Sequence, residues 1–509
     1  MIELLPQILT SGADAHAGRL AVQDIHGSVS YELLATQAGE LAGGLRHLGL
    51  KTGDRSVVVL PNGILFVTAH FANLMAGAVS VPFDASVAPE SFASMAANCR
   101  PRFLLTNAAS AQRLGSVARE AGIEKVISFD ETPDALFAQE VSSLGHAGVF
   151  TDQITPDSLA VLMYTTGTTG QPKGVRLTHA NVMQALRNIC NFVGYGPDDR
   201  EVVTLPLSHN FGLGHLYCNL LNGGAVYTES GLTRVGRVLE NVESFEATGF
   251  PGTPAGFGML MDRYGPILAK RGSKLRFSVI NSAPLPPERA AQLQALLPDL
   301  DIMVYYGLTE ASRSTFISLT RQGPEYYRSV GRSLGTTRLA IKSGAGETLD
   351  AGETGEVVIH GPAVTSGYWE NEKETRLLLR DGWLHTGDLG HLDKEGYLFI
   401  TGRLKDVINV GGYKVNPSEV ERVLSRFPGV LDVAVAGVPE PDGEVVVAAI
   451  VADQSVPPDF ATIETECLLQ LERFKVPTRF VQVAKIPRTD SGKIQRSVLI
   501  KELTLEDHA

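Results

Sequence analysis

The sequence is poor in the features that mark secreted, nucleic-acid-binding and zinc-binding proteins. Only four of its 509 residues are cysteines and none forms a Cys-x-x-Cys pair, which argues against a disulfide scaffold or zinc cluster and fits a reducing compartment. Basic residues are not in excess, since 44 Lys and Arg stand against 56 Asp and Glu. General binding to nucleic acid or to an anionic membrane surface is therefore disfavoured, and any anionic ligand must be held by a local site.

Long apolar runs are also missing. The longest apolar stretch, residues 64–83, is interrupted by His70 and Pro82 and predicts a buried helix followed by a strand rather than a membrane span. Residues 1–15 lack the basic region and apolar core of a secretory signal. We therefore expect a cytoplasmic protein without a membrane span.

The order of patterns along the chain predicts a mixed α/β protein. Helical patterns such as residues 31–48 alternate with β-branched runs at 55–60, 79–82, 103–106 and 125–129, which predicts parallel sheets covered by helices. Short strands with Gly and Asp turns follow over residues 330–400 and predict an antiparallel sheet or small barrel. A compact α+β pattern runs from Gly402 to the end. At about 100 to 200 residues per domain, the length fits two to four domains.

The strongest local signal is the segment Tyr-Thr-Thr-Gly-Thr-Thr-Gly-Gln-Pro-Lys-Gly-Val, residues 164–175, which follows an apolar run. A strand feeding a Gly/Thr loop that ends in Lys173 offers backbone N–H groups, hydroxyls and one cation to phosphate oxygens. It does not fit the Walker pattern, because Pro172 stands where Gly is needed and no Ser or Thr follows the lysine. The segment predicts a polyphosphate-binding loop, and a flexible surface loop is the alternative.

This loop resembles the ATP-binding signature of the adenylate-forming superfamily of acyl-CoA synthetases, luciferases and peptide-synthetase adenylation domains. Further segments match the family in the right order: Tyr306-Gly-Leu-Thr-Glu310, His385-Thr-Gly-Asp-Leu389, Gly402 to Lys414, and Pro487-Arg-Thr-Asp-Ser-Gly-Lys493. A weaker match, Ala76 to Pro82, lies upstream. On these segments the chain is identified as a member, with the closest motif match to AMP-dependent acyl- or aryl-CoA ligases.

The resemblance implies a fold and a reaction. The expected fold is a large amino-terminal domain, residues 1–402, of two helix-covered sheets plus a small β-barrel-like part at 330–402. A small mobile α+β domain, residues 403–509, follows. In the implied reaction a carboxylate attacks the α-phosphate of ATP, giving acyl-AMP and pyrophosphate, and a thiol then displaces AMP. The first step brings an anion onto an anionic phosphate, so Mg²⁺ and lysine must offset repulsion.

The matched motifs also imply roles for residues of the nucleotide site. Its phosphate loop is expected to use Thr165, Thr166, Gly167, Thr168, Thr169, Gly170 and Lys173. Tyr306 and Gly307 match the adenine-stacking segment, Thr309 lies near the α-phosphate, and Glu310 matches the carboxylate that holds Mg²⁺, a cation that prefers oxygen ligands. In the later motifs, Asp388 matches the ribose-binding aspartate and Arg403 an arginine on the ribose and phosphate side.

The carboxyl-terminal part is implied to serve both half-reactions. Lys493 matches the lysine that reaches the carboxylate and α-phosphate during adenylation. Lys405 occupies the family's hinge position, about which the small domain swings between two arrangements. In the thioester-forming arrangement the thiol's channel should be bordered by Gly411, Gly412, Tyr413 and Lys414, and ordinary solvent exposure is the alternative for Lys414.

The acyl pocket is outlined by weaker signals. Residues 205–215 align with the segment that lines this pocket in acyl- and aryl-CoA ligases, and Gly212 falls where an α-amino-acid enzyme would carry aspartate. Without that carboxylate a buried ammonium lacks its partner, so α-amino acids are disfavoured. The expected lining is mainly apolar: His209, Phe211, Gly212, Phe250, Gly252, Asn281, Ser282, Ala283, Tyr305 and Arg313. Two roles stay open for Arg313, binding a second acidic group of the substrate or pairing with a surface carboxylate.

The expected activity is that of a Mg-ATP-dependent, AMP-forming ligase joining an uncharged aliphatic or aromatic acid to CoA. CoA is favoured because residues 411–419, Gly-Gly-Tyr-Lys-Val-Asn-Pro-Ser-Glu, resemble CoA ligases more than peptide-synthetase domains. Two alternatives remain, a stand-alone loader of a carrier protein's phosphopantetheine and a catalytically silent nucleotide-binding homologue. The full set of Lys173, Glu310, Asp388, Arg403 and Lys493 argues against silence. A homodimer is compatible with the sequence.

Overall fold

The computed structural model describes residues 2–166, 172–411, 413–440, 443–488 and 494–506. The chain divides into two compact units. The first comprises Met1–Arg338 and Ile359–Leu384, and the second comprises Leu339–Val358 and His385–Ala509. Each unit is described by itself.

Thirteen helices with the following bounds are described in the first unit: α1 (Pro6–His16), α2 (Tyr31–His47), α3 (Ile64–Met75), α4 (Pro89–Cys99), α5 (Ala108–Glu120), α6 (Ala138–Ser142), α7 (His179–Val193), α8 (Asn210–Leu221), α9 (Val235–Ser244), α10 (Pro254–Arg271), α11 (Pro287–Leu296), α12 (Leu319–Gln322) and α13 (Glu372–Leu378). Its strands before residue 338 are β1 (Leu20–Asp24), β2 (Gly27–Ser30), β3 (Arg55–Val59), β4 (Val79–Phe83), β5 (Phe103–Thr106), β6 (Lys125–Ser128), β7 (Leu136–Phe137), β8 (Leu159–Thr166), β9 (Pro172–Thr178), β10 (Arg200–Val203), β11 (Ala225–Thr228), β12 (Phe277–Ile280), β13 (Asp301–Tyr306) and β14 (Thr315–Ser318).

A seven-stranded sheet forms one half of the first unit, in the order β7-β6-β5-β3-β4-β8-β9. All neighbours are parallel except β8 and β9, which form an antiparallel pair at one edge. Helices cover both faces, since Val57 and Val59 pack with Phe92 of α4 and Leu114 of α5, while Val58 packs in the cluster that contains α2 and α3. Burial on both faces explains why β3 is a continuous apolar run rather than an alternating one.

The other strands of this unit form a second, mixed arrangement. Strands β10, β11, β1 and β2 lie side by side, as do β12, β13 and β14. Single parallel bridges from Gly249 to Glu201 and to Phe277 link the two groups. The prediction of helix-covered α/β sheets is confirmed, but these sheets are not wholly parallel. Antiparallel pairs such as β1–β2 and β8–β9 arise where short connections reverse the chain.

The second unit is built mainly on strands. The strands of residues 338–403 are β15 (Arg338–Lys342), β16 (Gly355–His360), β17 (Leu379–Arg380), β18 (Trp383–Leu392) and β19 (Leu398–Arg403). Of these, β17 belongs to the first unit, and β18 pairs antiparallel with β19. There follow β20 (Ile408–Val410), β21 (Tyr413–Val415), α14 (Pro417–Leu424), β22 (Val430–Glu440), β23 (Gly443–Ala452), α15 (Phe460–Gln470), β24 (Arg479–Gln482) and α16 (Arg496–Glu506).

The carboxyl-terminal core is a three-stranded sheet between two helical layers. Strands β22, β23 and β24 lie in that order. Val435 and Ile450 face α14 and α15, whereas Ala434 and Val447 face Leu499 of α16. Successive buried residues of β22 thus belong alternately to two hydrophobic clusters, as the period of two in a strand requires. In the described part of the chain, no helix is both long and apolar enough to cross a membrane.

Candidate active site

The phosphate-loop segment is a hairpin in which β9 continues directly into α7. Thr165 pairs with Lys173 and Thr166 with Pro172, so Lys173 lies on the returning strand rather than at the loop's end. Helix α7 is anchored by a capping box, in which the side chains of Thr178 and Asn181 each accept from the other's backbone N–H. The predicted loop residues Gly167, Thr168, Thr169 and Gly170 lie outside the described residues, as does the side chain of Thr166.

Lys173 belongs to a cluster of polar side chains that sequence reasoning had only half identified. Its ammonium forms an ion pair with Glu374 of α13 and lies 5.2 Å from the centre of the Tyr368 ring. The Tyr368 hydroxyl donates to Oε1 of Glu310 at 2.7 Å. Burial, and then the charge of Glu310, raise the pKa of Tyr368 above its usual range. One tyrosine therefore contacts both the predicted loop lysine and the predicted Mg²⁺-binding carboxylate.

The segment that carries Glu310 is a tight turn after β13. Leu308 and Ala311 exchange backbone hydrogen bonds, and the Glu310 carbonyl accepts from the backbone N–H of Thr365 at 2.8 Å. A Cβ at Gly307 would lie 2.5 Å from the backbone nitrogen of Arg313, so only glycine fits this approach. Tyr306, Thr309 and Glu310 are all half-buried, at the end of a buried strand. This is where the family resemblance predicted nucleotide contacts.

The second unit places Asp388 and Arg403 opposite each other on β18 and β19. Nε of Arg403 lies 2.8 Å from Oδ1 of Asp388. The aspartate is only 3% exposed, and its backbone N–H donates to the Thr386 hydroxyl, which donates to the carbonyl of Val357. The ion pair and these bonds hold the orientation of the predicted ribose-binding carboxylate.

The described residues of the predicted hinge and thiol channel are solvent-exposed in the second unit. Lys405 lies in a 3₁₀ turn, Gly411 has a positive φ of 56°, and Lys414 is exposed. Tyr413 stacks on Phe474 with ring centroids 4.6 Å apart. Gly412 and Lys493 lie outside the described residues. The roles of all these residues, including the hinge, stay predictions.

The predicted acyl-pocket residues of the first unit gather around Tyr305. Its ring centre lies 5.7 Å from that of Phe211 and 5.5 Å from the guanidinium carbon of Arg313, and Asn281 bonds its hydroxyl. Burial raises the pKa of Tyr305. The ring is thus the common neighbour of three predicted lining residues.

The remaining lining residues differ in burial. Phe250 is in the core against Phe257, and Gly252 bridges to Ile280. Ser282 has a positive φ of 92°, and His209 and Ala283 are exposed. A Cβ at Gly212 would lie 2.4 Å from the carbonyl oxygen of Pro206, so this position has no room for an aspartate or any other side chain.

Arg313 is not a surface residue, which removes one of the two roles left open for it. Only 1% of the residue is exposed, and it is the largest fully buried side chain of the described residues. Its NH1 donates to Ser312 Oγ at 2.7 Å and its NH2 to the Asn210 carbonyl at 3.3 Å. Of the two alternatives, pairing with a surface carboxylate is therefore ruled out, because Arg313 is buried under α8.

Sequence reasoning missed a buried acid–base pair beside this pocket. Glu201 accepts from Asn219 Nδ2 at 2.7 Å and from the Tyr195 hydroxyl at 3.1 Å, and its Oε2 lies 3.0 Å from Nδ1 of His215. Both Glu201 and His215 are fully buried. The sequence holds a signal for it, since Glu201 stands directly before Val202 and Val203, a short β-branched run that favours a buried strand, and a buried acid requires a partner.

Comparisons with known proteins agree with these features. A family model for AMP-binding enzymes matches residues 9–369, and a model for the carboxyl-terminal domain of AMP-binding enzymes matches residues 419–493. The sulfoacetate–CoA ligase of Cupriavidus necator is 32% identical over 488 residues, which cover 93% of this chain and 92% of that protein. A feruloyl-CoA synthase of an Amycolatopsis species is 32% identical over 479 residues, covering 92% of each.

A solved structure is similar over the whole chain. The crystal structure of ATP-bound MatB from Rhodopseudomonas palustris superposes with a TM-score of 0.89 at 27% identity, covering 99% of both chains. The motif segments, the fold and the two family models thus agree. The chain belongs to the AMP-binding enzyme family and is an AMP-forming acid–thiol ligase of the acyl-CoA synthetase type.

Proposed function

We propose that this ligase joins a carboxylic acid other than an α-amino acid to the thiol of CoA, at the expense of Mg²⁺-bound ATP. The observation that carries the proposal is the contact of Tyr368 with both Lys173 and Glu310. Adenylation needs a cation for the leaving pyrophosphate and a carboxylate for Mg²⁺ at one place. This cluster supplies both from residues far apart in the chain.

In the first half-reaction a carboxylate oxygen of the acid attacks the α-phosphorus, and the bond from that phosphorus to the bridging oxygen of pyrophosphate breaks. Lys173 neutralises the departing pyrophosphate, and Tyr306 and Thr309 position the adenine and the α-phosphate. Asp388 accepts the ribose hydroxyls, with Arg403 holding its carboxylate in place. Holding the two anions in line is the main contribution, because phosphoryl chemistry of this kind depends on positioning and charge.

The Mg²⁺ ion fits the residues present. Glu310 offers one half-buried carboxylate, and among the described residues no group of three His, Cys, Asp or Glu side chains could hold a metal by itself. Mg²⁺ commonly takes one or two protein carboxylates and completes its octahedral shell with substrate phosphates and water. Bound there, it would reduce the negative charge of the phosphates.

In the second half-reaction the thiol sulfur attacks the acyl carbonyl and AMP leaves with its phosphate oxygen. We place the thiol along residues 411–414, with Lys405 as the hinge that changes which segment of residues 403–509 meets the substrate. The exposure of Lys405, Tyr413 and Lys414 supports this proposal. CoA is the acceptor favoured by the relatives named as CoA ligases, and a carrier-protein thiol would use the same reactive arm.

α-Amino acids are excluded from the proposed substrates on two grounds. The position expected to carry their ammonium partner is Gly212, where no side chain can be built. The buried carboxylate of Glu201 is already taken up by His215, Asn219 and Tyr195. A substrate ammonium would thus be buried without a partner.

The test is release of pyrophosphate with Mg-ATP across fatty, aryl, dicarboxylic and amino acids, each with and without CoA. We expect acid-dependent release from at least one class other than amino acids, with CoA increasing turnover and acyl-CoA appearing in equal amount to AMP. Release that does not respond to CoA would move the acceptor to a carrier protein. No release from any acid would reject the proposed function.

A further inference from the structure

The acyl pocket borders a buried positive charge that has only neutral partners. Arg313 bonds a serine hydroxyl and a backbone carbonyl and lies over the Tyr305 ring, while its Nε has no hydrogen-bond partner among the described residues. No carboxylate lies within ion-pair distance of it in the part of the chain that the structure describes. By contrast, the partly buried Arg102 and Arg496 each pair with two carboxylates. An uncompensated buried charge is costly, so it calls for an anion from elsewhere.

The chain is shaped to hold the guanidinium at this place. A Cβ at Gly214 of α8 would lie only 1.6 Å from NH2 of Arg313. Glycine at this position therefore leaves the space that the guanidinium occupies. Arg313 itself has a φ of +57°, a left-handed conformation that non-glycine residues rarely adopt. Such strain persists where the surroundings enforce it and is concentrated at binding sites. Arg313 also lines a small cavity with Asn181, Asn210 and Ser312.

The residue that follows Gly214 in α8 also carries a buried nitrogen. This residue is His215, and no atom in the part of the chain that the structure describes is a hydrogen-bond partner of its Nε2. Its Nδ1 is held by Glu201, and because a carboxylate only accepts, Nδ1 carries the hydrogen. Nε2 thus accepts a hydrogen bond in the neutral ring or donates one in the protonated ring. The His215 ring is 5.3 Å from Phe211, which in turn contacts Tyr305.

We propose that the acid activated by this protein carries a second anionic group, a carboxylate or a sulfonate, and that Arg313 binds it with His215 as a further donor. The inference rests on the proposed function and names its substrate class. It departs from the expectation of an uncharged acid, because an apolar acid would leave the guanidinium buried without a counter-charge. Glu201 is the positioning residue that orients the His215 ring.

The first experiment uses the unaltered enzyme. We would measure kcat/KM for malonate, succinate and 3-sulfopropionate, for the monomethyl esters of the two dicarboxylates, and for propionate and butyrate. A methyl ester keeps the length but loses the charge. We expect the charged acids to exceed their esters and the monoacids by about 30-fold or more, since breaking a buried hydrogen-bonded charge pair has at least this effect. The sulfonate arm distinguishes the two anion types.

Variants then assign the effect to Arg313. Arg313→Met keeps the length of the side chain without its charge, and we expect it to lose the preference for the charged acids while it still activates the esters. His215→Gln should reduce the same preference by a smaller factor. Arg289→Met is the control, because Arg289 pairs with Asp262 at the surface, and its preference should stay at the wild-type value.

Each outcome decides the proposal. Activity with esters or monoacids equal to or above that with charged acids in the unaltered enzyme would overturn it, and so would an equal loss for all acids in a folded Arg313→Met variant, which marks a purely structural arginine. If that variant does not fold, the wild-type ratio alone decides. Absence of pyrophosphate release from every acid rejects the proposed function instead.

Discussion

The hydroxyl of Tyr368 offers a direct test of the nucleotide site. Tyr368→Phe removes the 2.7 Å bond to Glu310 but keeps the ring against which Lys173 lies. Hydrogen bonds to charged groups contribute about 1.5–3 kcal/mol, and loss of a group that orients a metal ligand reduces metal affinity about 10- to 100-fold. Both residues are half-buried, so water can replace part of the lost bond. We therefore expect the smaller value of that range, an affinity for Mg²⁺ reduced about tenfold, or by ~1.4 kcal/mol.

The assay is pyrophosphate release as a function of free Mg²⁺ at saturating ATP and acid. The variant should need about tenfold more Mg²⁺ for half-maximal rate and approach the wild-type rate at high Mg²⁺. Tyr31→Phe is the control, since the Tyr31 hydroxyl donates to the carbonyl of Gly224 at 2.6 Å. It should lower stability without changing the Mg²⁺ response. A wild-type Mg²⁺ response in Tyr368→Phe would refute the assignment of Glu310 as the metal ligand oriented by this tyrosine.

Three further predictions concern the half-reactions and stability. Lys493→Ala should strongly reduce acyl-AMP formation and spare thioester formation from supplied acyl-AMP, and equal loss of both half-reactions would contradict the two-arrangement proposal. Lys405→Pro should slow thioester formation more than adenylation, since proline fixes φ, and normal rates for both would place the hinge elsewhere. Burial lowers the pKa of His70 from 6.5 to about 3. Below pH 6.5 the folded protein thus binds fewer protons than the unfolded chain. The free energy of unfolding therefore decreases as the pH is lowered, and this group accounts for ~2 kcal/mol of that decrease by pH 5. Urea unfolding of His70→Gln between pH 6.5 and 4 should show a flatter dependence, whereas an unchanged slope would exclude this origin.

Local patterns predicted much of the fold. The strand at residues 103–106 and the helix from residue 31 agree with β5 and α2, because burial on both faces or on one stripe imposes a recognisable period. The amino-terminal elements α1, β1 and β2 were not predicted. Strand β1 pairs with β11, some two hundred residues later, so its state depends on a partner that local sequence does not reveal.

The candidate site shows the same division. The motif at residues 306–310 was recognisable because the chemistry needs neighbouring residues at fixed spacing. Tyr368 and Glu374 belong to no such motif and were missed. They become relevant only through the fold. It brings Tyr368 to Glu310, 58 residues away, and Glu374 to Lys173, 201 residues away.

The sequence by itself therefore determined the family, the reaction class and the residue types of each motif. The tertiary structure decided the burial and partners of those residues. It placed Lys173 beside Glu374, joined Glu201 to His215, and enclosed Arg313 under α8 with no carboxylate of the described residues to pair with it. The physical reason is that a motif reflects contacts with one substrate by consecutive residues, whereas burial and charge compensation depend on packing between segments distant in the chain.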